Sequence, residues 1–89
     1  MLSIEDRKKI KKLAKQYGAK KIILFGSSLK SDSESNDIDL AVEGVPANKF
    51  FEFYGILLLS LSKPVDVIDL SKKSRFTEFI LRKGQVIYG

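Results

Sequence analysis

Residues 37–43 read Asp-Ile-Asp-Leu-Ala-Val-Glu, and this alternating stretch sets the fold class. Side chains of a β-strand point to opposite faces in turn. One face of such a strand carries the apolar Ile38, Leu40 and Val42. The other carries Asp37, Asp39 and Ala41. The stretch therefore predicts a half-buried strand with two neighbouring carboxylates on its outer face.

Helices and strands alternate on both sides of this strand. The apolar spacing predicts helices over residues 4–17, 46–61 and 75–83 and further strands over residues 21–25, 65–70 and 86–88. Ser3, followed three residues later by Asp6, resembles a capping box at the first helix. The turn formers in residues 31–36 predict a polar loop. The order αββαβαβ predicts an α/β (or α+β) fold, in which helices pack against a small mixed β-sheet.

The composition limits what this chain can be. Its 89 residues suit a single domain spanning residues 1–89. Because the chain has no Cys and no His, disulfides, thiolate ligands and imidazole ligands are excluded, and any metal must be held by oxygen. The longest apolar run, residues 56–59, is far shorter than the roughly 20 residues of a membrane span. We therefore expect no membrane association and a cytoplasmic protein.

Charge is unevenly distributed along the chain. The net charge is +5, yet residues 22–45 hold five acidic residues and one Lys. An acidic centre within a basic protein favours an anionic ligand that arrives with a divalent cation. The first helix is ringed by Arg7, Lys8, Lys9, Lys11, Lys12 and Lys15. Because no aromatic residues interleave with these charges, they favour a solvated face, and nucleic acid is not the expected partner.

Three acidic positions and one turn carry the candidate chemistry. Asp37 and Asp39 would repel each other unless a cation lies between them, and Mg²⁺ commonly uses one or two carboxylates plus phosphate oxygens. Asp66 lies among apolar residues in a strand predicted to be interior, where a carboxylate needs a cation or a hydrogen-bond partner. It is preferred over Asp69, which should point to the other face. Gly26 and Ser27 end the first strand, where backbone and hydroxyl groups can approach a phosphate.

Each piece also has a plain structural interpretation. The carboxylates of Asp37 and Asp39 are compatible with the solvent-exposed face of an ordinary strand. Gly26 and Ser27 alone are compatible with an ordinary turn. The order and spacing of all the pieces together distinguish a functional site from these alternatives.

In that order and spacing the chain resembles the minimal nucleotidyltransferase (MNT) domain of the DNA polymerase β-like superfamily. The resemblance rests on residues 24–27 (Leu-Phe-Gly-Ser), on residues 37–42 and on residues 65–70 (Val-Asp-Val-Ile-Asp-Leu). It covers nearly the whole chain, including the first helix and the closing residues 80–88. It implies the polymerase β-like nucleotidyltransferase fold.

The resemblance also implies an activity and its residues. Gly26 and Ser27 would hold a nucleoside triphosphate, ATP, and the carboxylates of Asp37, Asp39 and Asp66 would bind two Mg²⁺ ions. An acceptor hydroxyl would then attack the α-phosphorus in line. Asp66 is the candidate general base because the chain has no His.

The chain departs from the family pattern after Ser27. Many members have an Arg soon after this Ser and a Gly before the acidic loop, whereas here residues 28–31 are Ser-Leu-Lys-Ser. Lys30 is the candidate replacement for the Arg. Its ammonium group is a compact charge and cannot bind a phosphate through two parallel hydrogen bonds, as an Arg guanidinium does. Asn36 stands where Ser is common. The departures put the strength of triphosphate binding, and catalysis itself, in question.

In 89 residues we expect no room for a domain that presents the acceptor, so the acceptor should come from another molecule. The family resemblance implies a HEPN-domain protein, with this chain as the antitoxin that transfers AMP to it. The helix over residues 46–61 is apolar on almost every side, which indicates either a deeply buried helix or half of an interface in a homo- or hetero-oligomer. The alternative is a non-catalytic subunit that neutralises a HEPN protein by covering it.

Overall fold

The computed structural model describes residues 2–26 and 37–89. In these ranges the elements are α1 (Ile4–Gln16), β1 (Lys21–Leu24), β2 (Ile38–Glu43), α2 (Ala47–Ser60), β3 (Val65–Asp69), α3 (Arg75–Lys83) and β4 (Gln85–Tyr88). The predicted order αββαβαβ is confirmed, and each predicted bound is either identical to the observed one or one residue away from it. None of the helices in this part of the chain has the length and apolar character needed to cross a membrane.

The four strands form one mixed sheet in the order β3-β2-β1-β4. β1 pairs antiparallel with β2 and with β4, whereas β2 and β3 are parallel. A parallel pair needs a long connection, and α2 provides it. The small mixed sheet is therefore as predicted. The prediction that the strand carrying Asp66 lies inside the sheet is wrong, because the crossover through α2 places β3 at the edge.

The main core lies between one face of the sheet and helices α1 and α2. β1 and β2 contribute Ile22, Leu24, Ile38, Leu40 and Val42, and the helices contribute Ile10, Leu13, Ala14, Phe53 and Leu57. The alternation predicted for residues 37–43 is confirmed on this face. Burial of these apolar side chains is the main favourable contribution to folding.

The opposite face of the sheet is only partly open to solvent. A second core cluster contains Ile23, Ala41, Leu70 and Ile80, the last from α3. Ala41 is fully buried there, so the predicted open outer face fails at Ala41. Asp39 and Glu43, on either side of Ala41 on this face, are only partly buried.

Local signals explain where α1 begins. The Ser3 hydroxyl accepts a hydrogen bond from the backbone N–H of Asp6 at 3.1 Å, as expected of an N-cap. The Asp6 carboxylate accepts hydrogen bonds from the backbone N–H of Ser62, at 3.0 Å, and from the Ser62 hydroxyl. Burial alone would raise the pKa of Asp6, but these hydrogen bonds outweigh it and hold the pKa below its ordinary value. The hydrogen bonds of Asp6 thus connect α1 to the segment between α2 and β3.

The helix α2 has two apolar faces. Pro46, predicted to be the first helical residue, occupies the N-cap position instead, so α2 begins one residue later, at Ala47. Phe53 and Leu57 are fully buried in the main core, whereas Phe51 is 84% exposed and Leu59 is 89% exposed. The helix is therefore a core helix on one side and, on the other, an exposed apolar surface of the kind an interface requires.

Candidate functional site

Asp39 and Asp66 are brought together by the parallel pairing of β2 and β3. The two residues are register partners, so they lie side by side on the same face of the sheet. Neighbouring strands are about 4.8 Å apart, which places both carboxylates within reach of one bound group. Asp39 is half-buried and Asp66 is exposed. The site therefore opens to solvent at the edge of the sheet.

Gly26 lies directly against the Asp39 carboxylate. Its φ is +68°, and a Cβ built there would lie 2.7 Å from Oδ2 of Asp39. The preceding residue ties the same segments together, since the Phe25 backbone N–H donates to the carbonyl of Asp39 at 3.0 Å. Glycine at position 26 is thus required both by its backbone conformation and by the space that Asp39 occupies.

A tyrosine on α2 contacts the second carboxylate. The Tyr54 hydroxyl donates a hydrogen bond to Oδ1 of Asp66 at 3.0 Å. Burial, and then the hydrogen bond and negative charge of Asp66, raise the pKa of Tyr54 above its ordinary value, against a smaller opposing effect of the Val67 backbone. The phenol therefore remains a protonated donor over the whole neutral range.

Sequence reasoning missed Tyr54, which it counted only among the apolar residues of the helix over residues 46–61. Asp66 was expected to need a partner because of burial in an interior strand. It is in fact exposed on an edge strand, and its hydroxyl partner comes from α2. The one available signal was a tyrosine among phenylalanines and leucines, since a buried tyrosine usually finds a partner for its hydroxyl.

The preference for Asp66 over Asp69 agrees with the structure. Asp69 is the register partner of Val42, which faces the main core, so Asp69 lies on the opposite face from Asp66. Its Oδ1 accepts a hydrogen bond from the Ser71 backbone N–H at 2.9 Å, as in an Asx turn. Asp69 thus stabilises the end of β3.

The remaining predicted site residues are not all placed. Asp37 is exposed and immediately precedes β2. Ser27 and Lys30, together with the departures at residues 28–31 and Asn36, lie outside the described residues. Their assigned roles remain predictions.

The acidic side chains of the described residues are the candidate ligands for a metal ion. Within residues 2–26 and 37–89, no group of three or more acidic side chains is arranged to hold a metal ion. Asp37 therefore does not complete such a group with Asp39 and Asp66. The pair formed by Asp39 and Asp66 nevertheless fits Mg²⁺, which proteins commonly bind through one or two carboxylates together with substrate phosphate oxygens.

Comparison with known proteins places this geometry in a family. The sequence model described as polymerase beta, nucleotidyltransferase matches residues 8–89, and the chain belongs to this family. Its four-stranded mixed sheet and three helices, as described, have the polymerase β-like nucleotidyltransferase fold. Among curated proteins, none matches the sequence significantly.

The solved structures that this chain resembles include nucleotidyltransferase domains from toxin–antitoxin complexes. A crystal structure of a toxin–antitoxin with AMP-PNP is 28% identical, with a TM-score of 0.75, over 93% of this chain and 73% of that chain. The MntA–HepT toxin–antitoxin is 26% identical, with a TM-score of 0.71, over 94% and 70%. A tri-AMPylated HEPN toxin from Shewanella oneidensis in complex with its MNT antitoxin matches at 27% identity and a TM-score of 0.72, over 94% and 70%. The chain is a nucleotidyltransferase domain similar to MntA antitoxins of HEPN toxin pairs.

Proposed function

We propose that this protein transfers AMP from ATP, in the presence of Mg²⁺, to a hydroxyl group of a HEPN-domain protein and thereby acts as its antitoxin. The observation that carries the proposal is the pairing of Asp39 with Asp66 on one face of the sheet, with Gly26 against Asp39. A nucleotidyltransferase needs carboxylates placed together beside a segment that can approach a phosphate closely.

Each residue has a proposed role in binding. Asp39 and Asp66 would hold Mg²⁺ together with the phosphate oxygens. Asp37, the residue before β2, lies outside this pair in the structure and would act only as a further negative charge near the site. The backbone at Gly26, with Ser27 and Lys30, would hold the triphosphate. When bound, Mg²⁺ would supply positive charge that neutralises the carboxylates and the phosphates.

The transfer itself needs a base and a leaving group. Asp66 would accept the proton of the acceptor hydroxyl, whose oxygen forms a bond to the α-phosphorus of ATP. The bond between the α-phosphorus and its bridging oxygen breaks, and pyrophosphate leaves with the electron pair. Since Asp66 is exposed at the sheet edge, a hydroxyl carried by another protein can reach it.

A partner surface is available on the other side of the molecule. Phe51, Leu58 and Leu59 on α2 are exposed, at 84%, 48% and 89%. An exposed apolar helix face of this kind is a typical protein-binding surface, which supports a HEPN-domain partner. It also motivates the second candidate function, in which the protein neutralises the partner by covering it without catalysis.

One experiment separates the two functions. The purified protein, a HEPN-domain protein from the same genome and Mg²⁺-ATP are incubated, and the intact mass of the HEPN protein is measured. The proposal expects a mass increase of one or more AMP groups, lost in the Asp37→Ala/Asp39→Ala double variant, with circular dichroism confirming that the variant folds. Equal labelling by the double variant would overturn the catalytic proposal. Full inhibition of the HEPN protein by an inactive double variant would favour covering.

A further inference from the structure

Tyr54 connects the main core to the candidate site across the edge of the sheet. The helix α2 packs on the face that buries Val67, whereas Asp66, next to Val67 in β3, belongs to the opposite face. Because β3 is the edge strand, the Tyr54 hydroxyl reaches the Asp66 carboxylate around it, at 3.0 Å.

We propose that Tyr54 is the positioning residue that fixes the Asp66 carboxylate beside Asp39 for nucleotidyl transfer. This inference rests on the proposed function. In this proposal Tyr54 does not contact the nucleotide or the acceptor. Tyr54 affects the reaction only by holding the Asp66 carboxylate.

The tyrosine is well anchored for such a role. Its ring is half-buried against the main core and makes an edge-to-face contact with Phe50, with ring centroids 6.4 Å apart. The helix that carries it is fixed by the fully buried Phe53 and Leu57. A tyrosine has only two side-chain torsions before its hydroxyl, so packing of the ring fixes the position of the oxygen.

The Asp66 carboxylate, by contrast, lies open to solvent, and among residues 2–26 and 37–89 its hydrogen bond comes from Tyr54. Asp66 is exposed, and a free aspartate side chain exchanges among staggered rotamers. Repulsion from the neighbouring Asp39 would favour rotamers that turn away from the site. A charge-assisted hydrogen bond to Oδ1 opposes this tendency and leaves Oδ2 open to an incoming group. Reacting groups held in the correct geometry contribute strongly to rate.

The chain offers a matched control for removing this hydrogen bond. The Tyr17 hydroxyl donates to Oε2 of Glu52 at 2.6 Å, which is the same kind of contact on a different side of α2. Tyr17→Phe and Tyr54→Phe therefore each remove one tyrosine–carboxylate hydrogen bond and keep the ring. Only the second touches the candidate site.

The first measurement needs no activity. Three-bond couplings of the Asp66 side chain, measured by NMR on the isolated protein, report its rotamer populations. We expect one dominant χ1 rotamer in the wild type and in Tyr17→Phe, and averaged couplings in Tyr54→Phe. Averaged couplings in the wild type, or unchanged couplings in Tyr54→Phe, would overturn the positioning role.

The second measurement is the steady-state transfer of AMP to the HEPN-domain protein. Tyr54→Phe should lower kcat by about tenfold, the factor that corresponds to one hydrogen bond. Tyr17→Phe should leave kcat unchanged, and thermal unfolding checks that both variants fold. A wild type without transfer would refute the proposed function. A wild type with transfer and an unchanged kcat in Tyr54→Phe would refute only the inference.

Discussion

Asp39 on β2 and Asp66 on β3 are register partners in the one parallel pair among the described strands. Two like charges placed side by side destabilise a sheet unless another group compensates for them. Gly26 fits closely against the first carboxylate and Tyr54 donates to the second. An arrangement that works against stability in this way is typical of a functional site.

Replacing Asp66 should separate activity from stability. In Asp66→Asn we expect AMP transfer to fall by about 100-fold or more, because the candidate base is lost. The free energy of unfolding should stay the same or rise, because the repulsion with Asp39 is removed while the amide oxygen still accepts from Tyr54. The intact-mass assay and urea denaturation measure the two effects.

The control for this variant is Asp69→Asn on the same strand. The side chain points to the other face, and the amide oxygen still accepts from the Ser71 backbone N–H. Its transfer rate should match the wild type. Wild-type transfer by Asp66→Asn would contradict the role given to Asp66.

Alanine at position 26 should disturb the site specifically. Gly26→Ala introduces a Cβ 2.7 Å from Oδ2 of Asp39 and places alanine at φ +68°, so the carboxylate must move and the backbone is strained. We expect a loss of about 1 kcal/mol or more in unfolding free energy, together with a strong loss of Mg²⁺-ATP binding.

Gly18→Ala is the control that introduces backbone strain without displacing a carboxylate. Gly18 has φ +75°, but a Cβ there meets nothing within 4 Å. This variant should lose a similar amount of stability, about 1 kcal/mol, and keep nucleotide binding. If both variants bind nucleotide alike, the contact between Gly26 and Asp39 has no functional role.

The contact between Asp6 and Ser62 should make stability sensitive to acid. Since the folded-state pKa of Asp6 lies below its ordinary value of 3.8, its contribution is present above pH 3.8 and is lost as the pH falls through the lowered value. Asp6→Asn should therefore be less stable than the wild type by about 1–3 kcal/mol at neutral pH, with a gap that narrows below pH 3.8.

Denaturant titrations at several pH values test this dependence. Glu5→Gln, which replaces an exposed carboxylate in the same turn, should stay within about 0.5 kcal/mol of the wild type throughout. A gap for Asp6→Asn that does not depend on pH would show that the charge of Asp6 is unimportant.

The two faces of α2 should respond differently to the same substitution. Leu57 is fully buried and Leu59 is 89% exposed. Leu57→Ala should destabilise the fold by about 2–5 kcal/mol through the lost apolar contacts and the cavity. Leu59→Ala should change unfolding by no more than about 0.5 kcal/mol and should instead weaken binding to the HEPN-domain protein. Equal destabilisation by both would mean that the exposed face of α2 is absent in solution.

Much of the fold could be predicted because its signals are local. Ser3 and Gly18 bound α1, and the alternation over residues 37–43 orients β2, so element order and the core face of β2 follow from short stretches. That Asp66 and Asp69 would lie on opposite faces follows from the strand period of two.

The remaining features depend on sheet order and on distant contacts. The residues of β3 do not indicate that it is an edge strand. Its position depends on the order of all four strands in the sheet, β3-β2-β1-β4, which is set by long-range pairing. The contacts of Tyr54 with Asp66 and of Ser62 with Asp6 join segments far apart in the chain, across 12 and 56 residues. Burial of Ala41 likewise depends on where α3 packs.

Asp39, Asp66 and Gly26 are proposed to form a site for a nucleoside triphosphate and Mg²⁺. Isothermal titration of the purified protein with AMP-PNP, with and without Mg²⁺, measures this binding, and Asp39→Asn and Asp69→Asn serve as the site variant and the control. We expect binding that requires Mg²⁺ in the wild type and in Asp69→Asn and is abolished in Asp39→Asn. Binding that is independent of Mg²⁺, or equal in Asp39→Asn and the wild type, would contradict it.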